Sequence, residues 1–283
     1  MKKLLALFSV LLILVLAACG GGNTDKAEEA TNDDKAETDQ EVTIKIGASS
    51  IPHAEILEKA QPILAEKGIT LEIEPYEDYI LPNDDLANGE LDANYFQHIP
   101  YLEQTIEDTG YELTHIGGIH IEPIGIYSKS ITDIENIPEG TEVILSNSVS
   151  DHGRILGLFQ EAGLIKLADD VVVDKATIDD IVENSKDLTF TPDYEPAFLP
   201  ELYETEEDAL VVINTNYAIG AGLDPQKDSI YREEDDSPYV NVIAVRTEDE
   251  NNEALKTLVE VLHSEEIQNF ILEKYEGAVV PVN

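Results

Sequence analysis

From Val42 onward, short apolar runs alternate with stretches in which apolar residues recur at helical spacing. Residues 42–46 alternate as a strand does, and residues 71–74 form a second such run. Between them, residues 54–67 place their apolar side chains on one helical stripe that ends at Gly68. This β-α-β order favours a mainly parallel sheet with crossover helices.

The same alternation continues along the chain and then repeats. Further strands are predicted at residues 113–116, 142–145, 188–190, 210–213 and 239–245, and further helices at residues 84–88, 100–109, 154–162, 179–183, 253–263 and 264–274. We therefore predict an α/β protein with two lobes, formed by residues 42–124 plus 240–283 and by residues 125–239. Residues 121–127 and 239–245 are the candidate strands that cross between the lobes. Ligands of such open sheets bind outside the carboxyl ends of the strands, where the lobes face each other.

The N-terminus has the layout of a secretory signal. Lys2 and Lys3 precede an apolar run, residues 4–16, which is interrupted only by Ser9 and is too short to span a bilayer. The sequence Leu-Ala-Ala-Cys that ends at Cys19 matches a bacterial lipobox, and an ordinary cleaved signal peptide is the alternative. We predict a signal peptide over residues 1–18 and a lipid on Cys19.

Residues 19–41 are predicted to form a disordered tether, because they contain small, polar and charged residues and almost no apolar side chain to seed a core. A tether on a lipid anchor keeps a globular module near the membrane without embedding it. The predicted location is therefore the extracytoplasmic face of the cell membrane, with membrane contact through the lipid on Cys19 alone.

The composition narrows the possible partners. The chain has 59 acidic and 17 basic residues and a formal net charge of −42, which excludes nucleic acid as a general partner because phosphate binding needs clustered Lys and Arg. We interpret the acidity as a solubility adaptation. Cys19 is the only cysteine, so no intramolecular disulfide forms.

Motifs of the common enzyme classes are missing from the sequence, including GxSxG, the P-loop, HExxH and a Gly-rich dinucleotide turn. The six histidines show no tight metal-ligand spacing. We therefore expect no catalytic residues, no metal and no cofactor. A metal receptor or an enzyme is the last of the alternatives.

Two segments that follow predicted strands carry candidate binding residues. Residues 94–101 bring Phe96, His98 and Tyr101 to a loop before a helix, where aromatic side chains can wall an apolar ligand group; local core packing is the alternative. Arg154 follows another strand at a helix start, and its guanidinium suits a ligand carboxylate. A surface salt bridge is the alternative for Arg154.

A collinear set of motifs from about Val42 to the C-terminus resembles the NlpA family of methionine-binding lipoproteins. The set comprises residues 52–56, 78–83, 91–94, 96–98, 121–123, 127–129, 153–154, 213–218, 237–241 and 277–278. Their shared order and nearly constant spacing are far more specific than any one motif. The resemblance implies a two-lobed periplasmic-binding-protein-like fold of type II that serves a methionine ABC importer.

The resemblance also implies a set of ligand contacts, which are Tyr79, Phe96, His98 and Tyr101 in the first lobe and Arg154 and Asn214 in the second. Aromatic rings would hold a thioether, Arg154 the carboxylate and Asn214 the amino-acid backbone. Two positions depart from the family: Asp151 stands where Asn is usual, and Phe198 replaces an amide. Asp151 and Glu195 are both candidates for binding the ligand ammonium, and Asp151 is also placed to neutralise Arg154.

These observations together predict a monomeric, lipid-anchored substrate-binding protein. It would capture methionine or a closely related amino acid and deliver it to the permease and ATPase subunits of an ABC importer. Three alternatives stay open: a receptor for a methionine-containing dipeptide, a receptor for another apolar amino acid, and an adhesin-like surface lipoprotein with a vestigial cleft.

Overall fold

The computed structural model describes residues 41–282. The predicted signal peptide, Cys19 and nearly all of the predicted tether lie outside these residues. Within residues 41–282, no helix is both long enough and apolar enough to cross a membrane. The described chain forms a six-stranded sheet, a five-stranded sheet and a two-stranded antiparallel sheet, which we call the hairpin although a long segment joins its strands.

The first stretch is a regular alternation of strands and helices. It contains β1 (Val42–Ser49), α1 (Glu55–Ala65), β2 (Ile69–Tyr76), α2 (Leu81–Ala87), β3 (Ala93–His98), α3 (Ile99–Thr109) and β4 (Leu113–Ile121). α1 buries the predicted stripe, including Ile56, Leu57 and Leu64. α2 begins earlier than predicted because Pro82 suits the first turn of a helix, where no backbone N–H is needed.

The second stretch builds the five-stranded sheet and the hairpin. It contains β5 (Gly125–Tyr127), β6 (Glu142–Ser146), α4 (Val149–Glu161), β7 (Ile165–Leu167), β8 (Ile181–Asn184), β9 (Thr189–Tyr194), α5 (Leu199–Thr205), β10 (Leu210–Ile213), α6 (Thr215–Gly220) and β11 (Tyr231–Arg232). The helix predicted at residues 179–183 is wrong. Only a 3₁₀ turn at Ile178–Asp180 forms there, and the β-branched Ile181 and Val182 begin β8, which pairs with β7.

The chain then returns to the first sheet with β12 (Val240–Arg246), α7 (Glu253–Leu262), α8 (Glu265–Tyr275) and β13 (Val280–Pro281). β12 inserts between β3 and β4 and runs antiparallel to both. The second crossing between the sheets is therefore made by residues 233–239, just before β12, and the first by residues 122–124, between β4 and β5.

The strand order is β13-β4-β12-β3-β1-β2 in the first sheet and β11-β5-β10-β6-β9 in the second. Pairs built by β-α-β units are parallel, namely β1 with β2 and β3, and β6 with β9 and β10. Pairs that involve the strands next to the crossings are antiparallel. Both sheets are therefore mixed.

Helices cover both faces of each sheet, and β10 shows how the sequence achieves this. Leu210 and Val212 pack into the core beneath α4, whereas Val211 and Ile213 pack into the core beneath α5 and α6. Successive side chains of a strand point to opposite faces, so a continuous apolar run buries both. The first sheet likewise has one core against α1, α7 and α8 and another against α2 and α3.

Gly153 allows α4 to pack directly on the backbone of the segment that follows β7. A Cβ at Gly153 would meet the carbonyl oxygens of Val173 and Asp174 at 2.5 Å. We expect Gly153→Ala to lower the free energy of unfolding by about 1–3 kcal/mol, measured by urea denaturation. Gly157→Ala is the matched control, because its Cβ would meet only one methyl carbon of Val173, at 3.0 Å. Equal losses in the two variants would contradict this packing argument.

Candidate functional site

Three aromatic rings from the first sheet form one side of a cleft, and we call Tyr79, Phe96 and Tyr101 the aromatic wall. Phe96 lies in the buried strand β3, Tyr101 in the first turn of α3 and Tyr79 just before α2. The ring centroids are 5.9 to 6.0 Å apart, and the Tyr101 hydroxyl donates to the Tyr79 carbonyl at 2.7 Å. The rings pack in tilted and edge-to-face pairs, an arrangement that suits an apolar ligand group.

His98 ends β3 and caps α3. Its Nδ1 accepts a hydrogen bond from the backbone N–H of Tyr101 at 3.1 Å, so Nε2 carries the proton of the neutral ring. Nε2 then donates to Oδ1 of Asp151 at 3.0 Å. Because His98 caps α3 through Nδ1, its Nε2–H points across the cleft toward the second sheet.

Asp151 and Arg154 lie one turn apart on α4, because this helix begins at Val149 rather than at the predicted Arg154. Nε of Arg154 lies 3.1 Å from Oδ1 of Asp151, and the Asn214 amide donates to Oδ2 of Asp151 at 3.1 Å. Burial opposes ionisation of Asp151, but Arg154, His98 and Asn214 outweigh it and hold the pKa of Asp151 well below its usual range.

Arg154 is buried and stays cationic. Its Cζ lies 4.6 Å from the centre of the Tyr239 ring, and its Nη1 lies 3.7 Å from Oε2 of Glu233. Burial alone would lower the pKa of Arg154, but Asp151 and Glu233 raise it. Nε of Arg154 forms an ion pair with Oδ1 of Asp151 at 3.1 Å but is not aligned to donate a hydrogen bond to it, and Oδ1 of Asn214 accepts no hydrogen bond within the described chain. An unpaired donor and an unpaired acceptor at one cleft suit a polar ligand.

Seven of the eight predicted ligand residues line one cavity. They are Tyr79, Phe96, His98, Tyr101, Asp151, Arg154 and Asn214. Glu195 is exposed and instead lines an adjoining cavity, which shares Tyr79 and Tyr101 with the first. Phe198 is 53% exposed and lines neither cavity, so it does not form the pocket wall suggested by its place in the sequence.

Sequence reasoning missed five further polar residues that line the same cavity, which are Gln97, Glu122, Thr215, Asn216 and Asn241. Glu122 is the most consequential because it is a second buried carboxylate in the cavity. An acidic residue between Ile121 and Pro123 at the first crossing is the sequence signal that points to it.

The carboxylate of Glu122 is held by hydrogen bonds on both oxygens. Oε1 lies 2.7 Å from Nε2 of His120 and 3.2 Å from Nε2 of His53, and Oε2 accepts from the backbone N–H of Asn216 at 3.1 Å. Burial raises the pKa of Glu122, against the opposing effects of His53 and the Asn216 N–H. Burial also lowers the pKa of His53 to about 4 and that of His120 to about 3. Both imidazoles are therefore neutral near pH 7.

The same three side chains are the group whose geometry comes nearest to a metal site. Within residues 41–282, His53, His120 and Glu122 are the one set of three or more potential metal-ligating side chains whose ligand atoms all lie within 4.8 Å of one another. Nε2 of His120 hydrogen-bonds the carboxylate and Nε2 of His53 hydrogen-bonds Oδ1 of Asn241 at 3.0 Å, whereas a metal ligand must present a free lone pair. As arranged, the trio is a hydrogen-bond network.

Two mixed α/β sheets are joined by two short crossings, and residues from both sides line one cavity. These features define a two-lobed fold of the periplasmic-binding-protein type. The chain belongs to the NlpA lipoprotein family, whose model matches residues 44–283.

Individual relatives agree with this assignment. The chain is 45% identical over 287 residues to the methionine-binding lipoprotein MetQ of Bacillus subtilis strain 168, and the match covers 100% of both chains. A nutrient binding protein from Burkholderia cenocepacia bound to methionine is 37% identical, with a TM-score of 0.80 over 85% of this chain and 100% of that one. An ABC transporter periplasmic substrate-binding protein from Coxiella burnetii is 36% identical, with a TM-score of 0.79 over 84% and 100%. The predicted family and fold are confirmed.

Proposed function

We propose that this protein is an extracytoplasmic receptor, not an enzyme, that captures methionine or a closely related amino acid for an ABC importer. The observation that carries the proposal is the chemistry of the cavity, in which three features come together: the aromatic wall, a buried guanidinium, and a buried carboxylate that forms no ion pair with a lysine or arginine of residues 41–282. An α-amino acid with an apolar side chain presents the three complementary groups. The names of the relatives support the same ligand.

Each group of the ligand has a matching partner in this proposal. The thioether lies against the aromatic wall, since sulfur and aromatic rings attract one another. Arg154 binds the carboxylate with the fork of its guanidinium, and the free Oδ1 of Asn214 accepts from the ammonium. Asp151 already pairs with Arg154, which leaves Glu122 as the main acceptor for the ammonium.

We propose that residues 42–124 with 240–283 move as one lobe and residues 125–239 as the other. Hydrogen bonds across the cleft join His98 to Asp151, Tyr79 to Asn216 and Tyr217 to the carbonyl of Glu77, at 3.0, 2.6 and 2.9 Å. Such contacts hold a closed arrangement, and opening of the lobes about the two crossings would admit the ligand.

Thermal unfolding with a panel of ligands tests the receptor function. A ligand that binds only the native state stabilises it by about 2.7 kcal/mol at a hundredfold excess over Kd, so methionine should raise Tm measurably. The panel consists of the natural amino acids, D-methionine and methionyl dipeptides, and calorimetry then gives the affinity of each hit. Mass spectrometry of the denatured protein identifies any ligand that copurifies. A panel without any shift would contradict the proposal and favour an adhesin-like role.

A methionine-containing dipeptide is the second candidate ligand, and the adjoining cavity favours it. That cavity opens beside Tyr79 and Tyr101 and is also lined by Asp78 and Glu195. A dipeptide bound in its own pose would place its second residue there and bring its free ammonium near these acids. A larger Tm shift with a methionyl dipeptide than with methionine at equal concentration would select this candidate.

The anchor and the importer complete the proposal. We propose that Cys19 carries the lipid and that the receptor acts as a monomer with the permease and ATPase subunits of an importer; the lipobox and the family support this. Cys19→Ser should appear in the medium or remain unprocessed, because the only thiol has been removed. Membrane fractionation with mass spectrometry of the N-terminus measures this. Lipid attachment and membrane retention of the variant would refute the anchor.

A further inference from the structure

Glu122 lies where three parts of the molecule meet. It follows β4 in the first crossing, lines the ligand cavity and accepts a hydrogen bond from the N–H of Asn216 at the start of α6. The imidazoles of His53 and His120 meet its other oxygen. All four residues are more than nine-tenths buried. These buried contacts therefore hold the carboxylate in position at the border of the cavity.

The contacts of the two rings determine which nitrogen carries the proton. Nε2 of His53 faces two oxygens, Oδ1 of Asn241 at 3.0 Å and Oε1 of Glu122, so it must be protonated to bond with either. Nδ1 of His120 meets the Tyr95 hydroxyl, and with that hydroxyl as the donor Nε2–H of His120 faces Glu122. The backbone N–H of Asn216 and Nε2–H of His120 then both donate to the carboxylate, and Nε2 of His53 lies 3.2 Å from it. These contacts stabilise the ionised form and oppose the burial that raises the pKa of Glu122.

This buried charge has no cationic side chain of its own. Among residues 41–282, no lysine or arginine forms an ion pair with Glu122, whereas Asp151, the other acid of the cavity, has Arg154 at 3.1 Å. A buried carboxylate without a cation is costly. A positive group on a ligand in the cavity would supply the missing partner.

We propose that His53 and His120 are positioning residues, which hold the ionised Glu122 carboxylate toward the cavity as the acceptor of a ligand's α-ammonium. The proposal rests on the receptor function argued above. It explains how the cleft selects an α-amino acid over the same carboxylic acid without its amine. Neither histidine lines the cavity, so each acts through Glu122.

Two ligands that differ in the ammonium alone test this role. Calorimetry compares L-methionine with 4-(methylthio)butanoic acid, and the wild-type protein should bind methionine at least about tenfold more tightly. Glu122→Gln should bring this ratio of affinities close to one. Asp151→Asn should change both affinities alike and leave the ratio unchanged. The reverse result, with the ratio lost in Asp151→Asn and kept in Glu122→Gln, would overturn the proposal.

The histidines are tested with matched variants. His53→Leu and His120→Leu should lower the ratio several-fold, and the Gln variants should recover part of it because their amides retain an N–H donor near the position of Nε2. His263→Leu is the control, since His263 bonds the Gly118 carbonyl at 2.7 Å and does not line the cavity. Circular dichroism shows which variants are folded. Equal weakening of both ligands would indicate a purely structural role and overturn the proposal.

The wild-type protein provides a test that needs no buried substitution. The titratable groups facing Glu122 are His53, Tyr79, Tyr95, His98, His120, Arg154 and Tyr275. A protonated Glu122 cannot accept a hydrogen bond from an ammonium as the ionised carboxylate does. Burial raises the pKa of Glu122 above the usual 4.5. The affinity for L-methionine, whose own carboxylate and ammonium both stay charged over this interval, should therefore fall as the pH is lowered from 7 toward 4.5, and Glu122→Gln should remove this dependence. A wild-type affinity for L-methionine that stays constant over this range would overturn the proposal.

The outcomes separate this inference from the receptor function. If the wild-type protein binds neither methionine nor its acid analogue, the methionine receptor function itself fails. If it binds both with equal affinity, the receptor function stands and the role of Glu122 and its two histidines is overturned.

Discussion

Arg154→Ala is expected to weaken the binding of L-methionine by more than about tenfold. The guanidinium is buried against Tyr239 and beside Asp151, so a ligand carboxylate would meet it in a site largely shielded from water. Truncation of one partner of such a buried charge pair costs about 2–5 kcal/mol, which is about thirtyfold or more in affinity. Titration calorimetry measures the loss directly.

The truncation also leaves Asp151 without its cation, and the control is chosen for this reason. In the double variant Asp151→Asn/Arg154→Ala no buried carboxylate remains unpaired at position 151. This variant should lose methionine affinity as well. Arg154→Lys should recover only part of the affinity, because an ammonium cannot reproduce the guanidinium fork. If the folded double variant binds methionine as tightly as the wild-type protein does, Arg154 is not the receptor of the carboxylate.

Apolar periodicity predicts the fold well where the signal is local. The helix expected at residues 100–109 and the strands expected at 142–145 and 210–213 appear nearly as predicted. The start of α4 was misplaced because residues 149–153 contain one large apolar side chain, Val149, which is exposed. That first turn is held by packing on the Val173–Lys175 turn, a tertiary contact that periodicity does not report.

In the candidate site, too, the sequence predicts residues with a local signal and misses those that depend on tertiary contacts. Phe96, His98 and Arg154 are found from the sequence because each lies in a segment that leads from a strand into a helix, where the chain reaches the cleft. Glu122 has no such local sign, and the N–H that fixes one of its oxygens comes from Asn216, 94 residues away in sequence. Only the folded chain brings that donor and the two buried imidazoles to one carboxylate.

Asp151→Ala is expected to have the largest effect on stability. The Asp151 carboxylate is 1% exposed and pairs with Arg154, His98 and Asn214. Its removal leaves the buried guanidinium with a single ion pair among residues 41–282, to Glu233 at 3.7 Å. Removing one member of a buried ion pair costs about 3–5 kcal/mol. Asp151→Asn keeps the shape of the side chain and an oxygen for His98, so it should cost less and should strengthen carboxylate binding by freeing Arg154.

The pH dependence of unfolding separates charge from packing in these variants. The folded pKa of Asp151 lies below its usual 3.8, so its charge contributes fully to stability above that value, and the contribution is lost as the pH falls through the folded pKa. Urea denaturation should therefore give a constant difference in unfolding free energy between the wild-type protein and Asp151→Ala from about pH 7 to pH 5. Below pH 3.8 the difference should shrink. A difference that persists unchanged in acid would show that the loss comes from the cavity left by the side chain, and that the Asp151–Arg154 pair contributes no net stability.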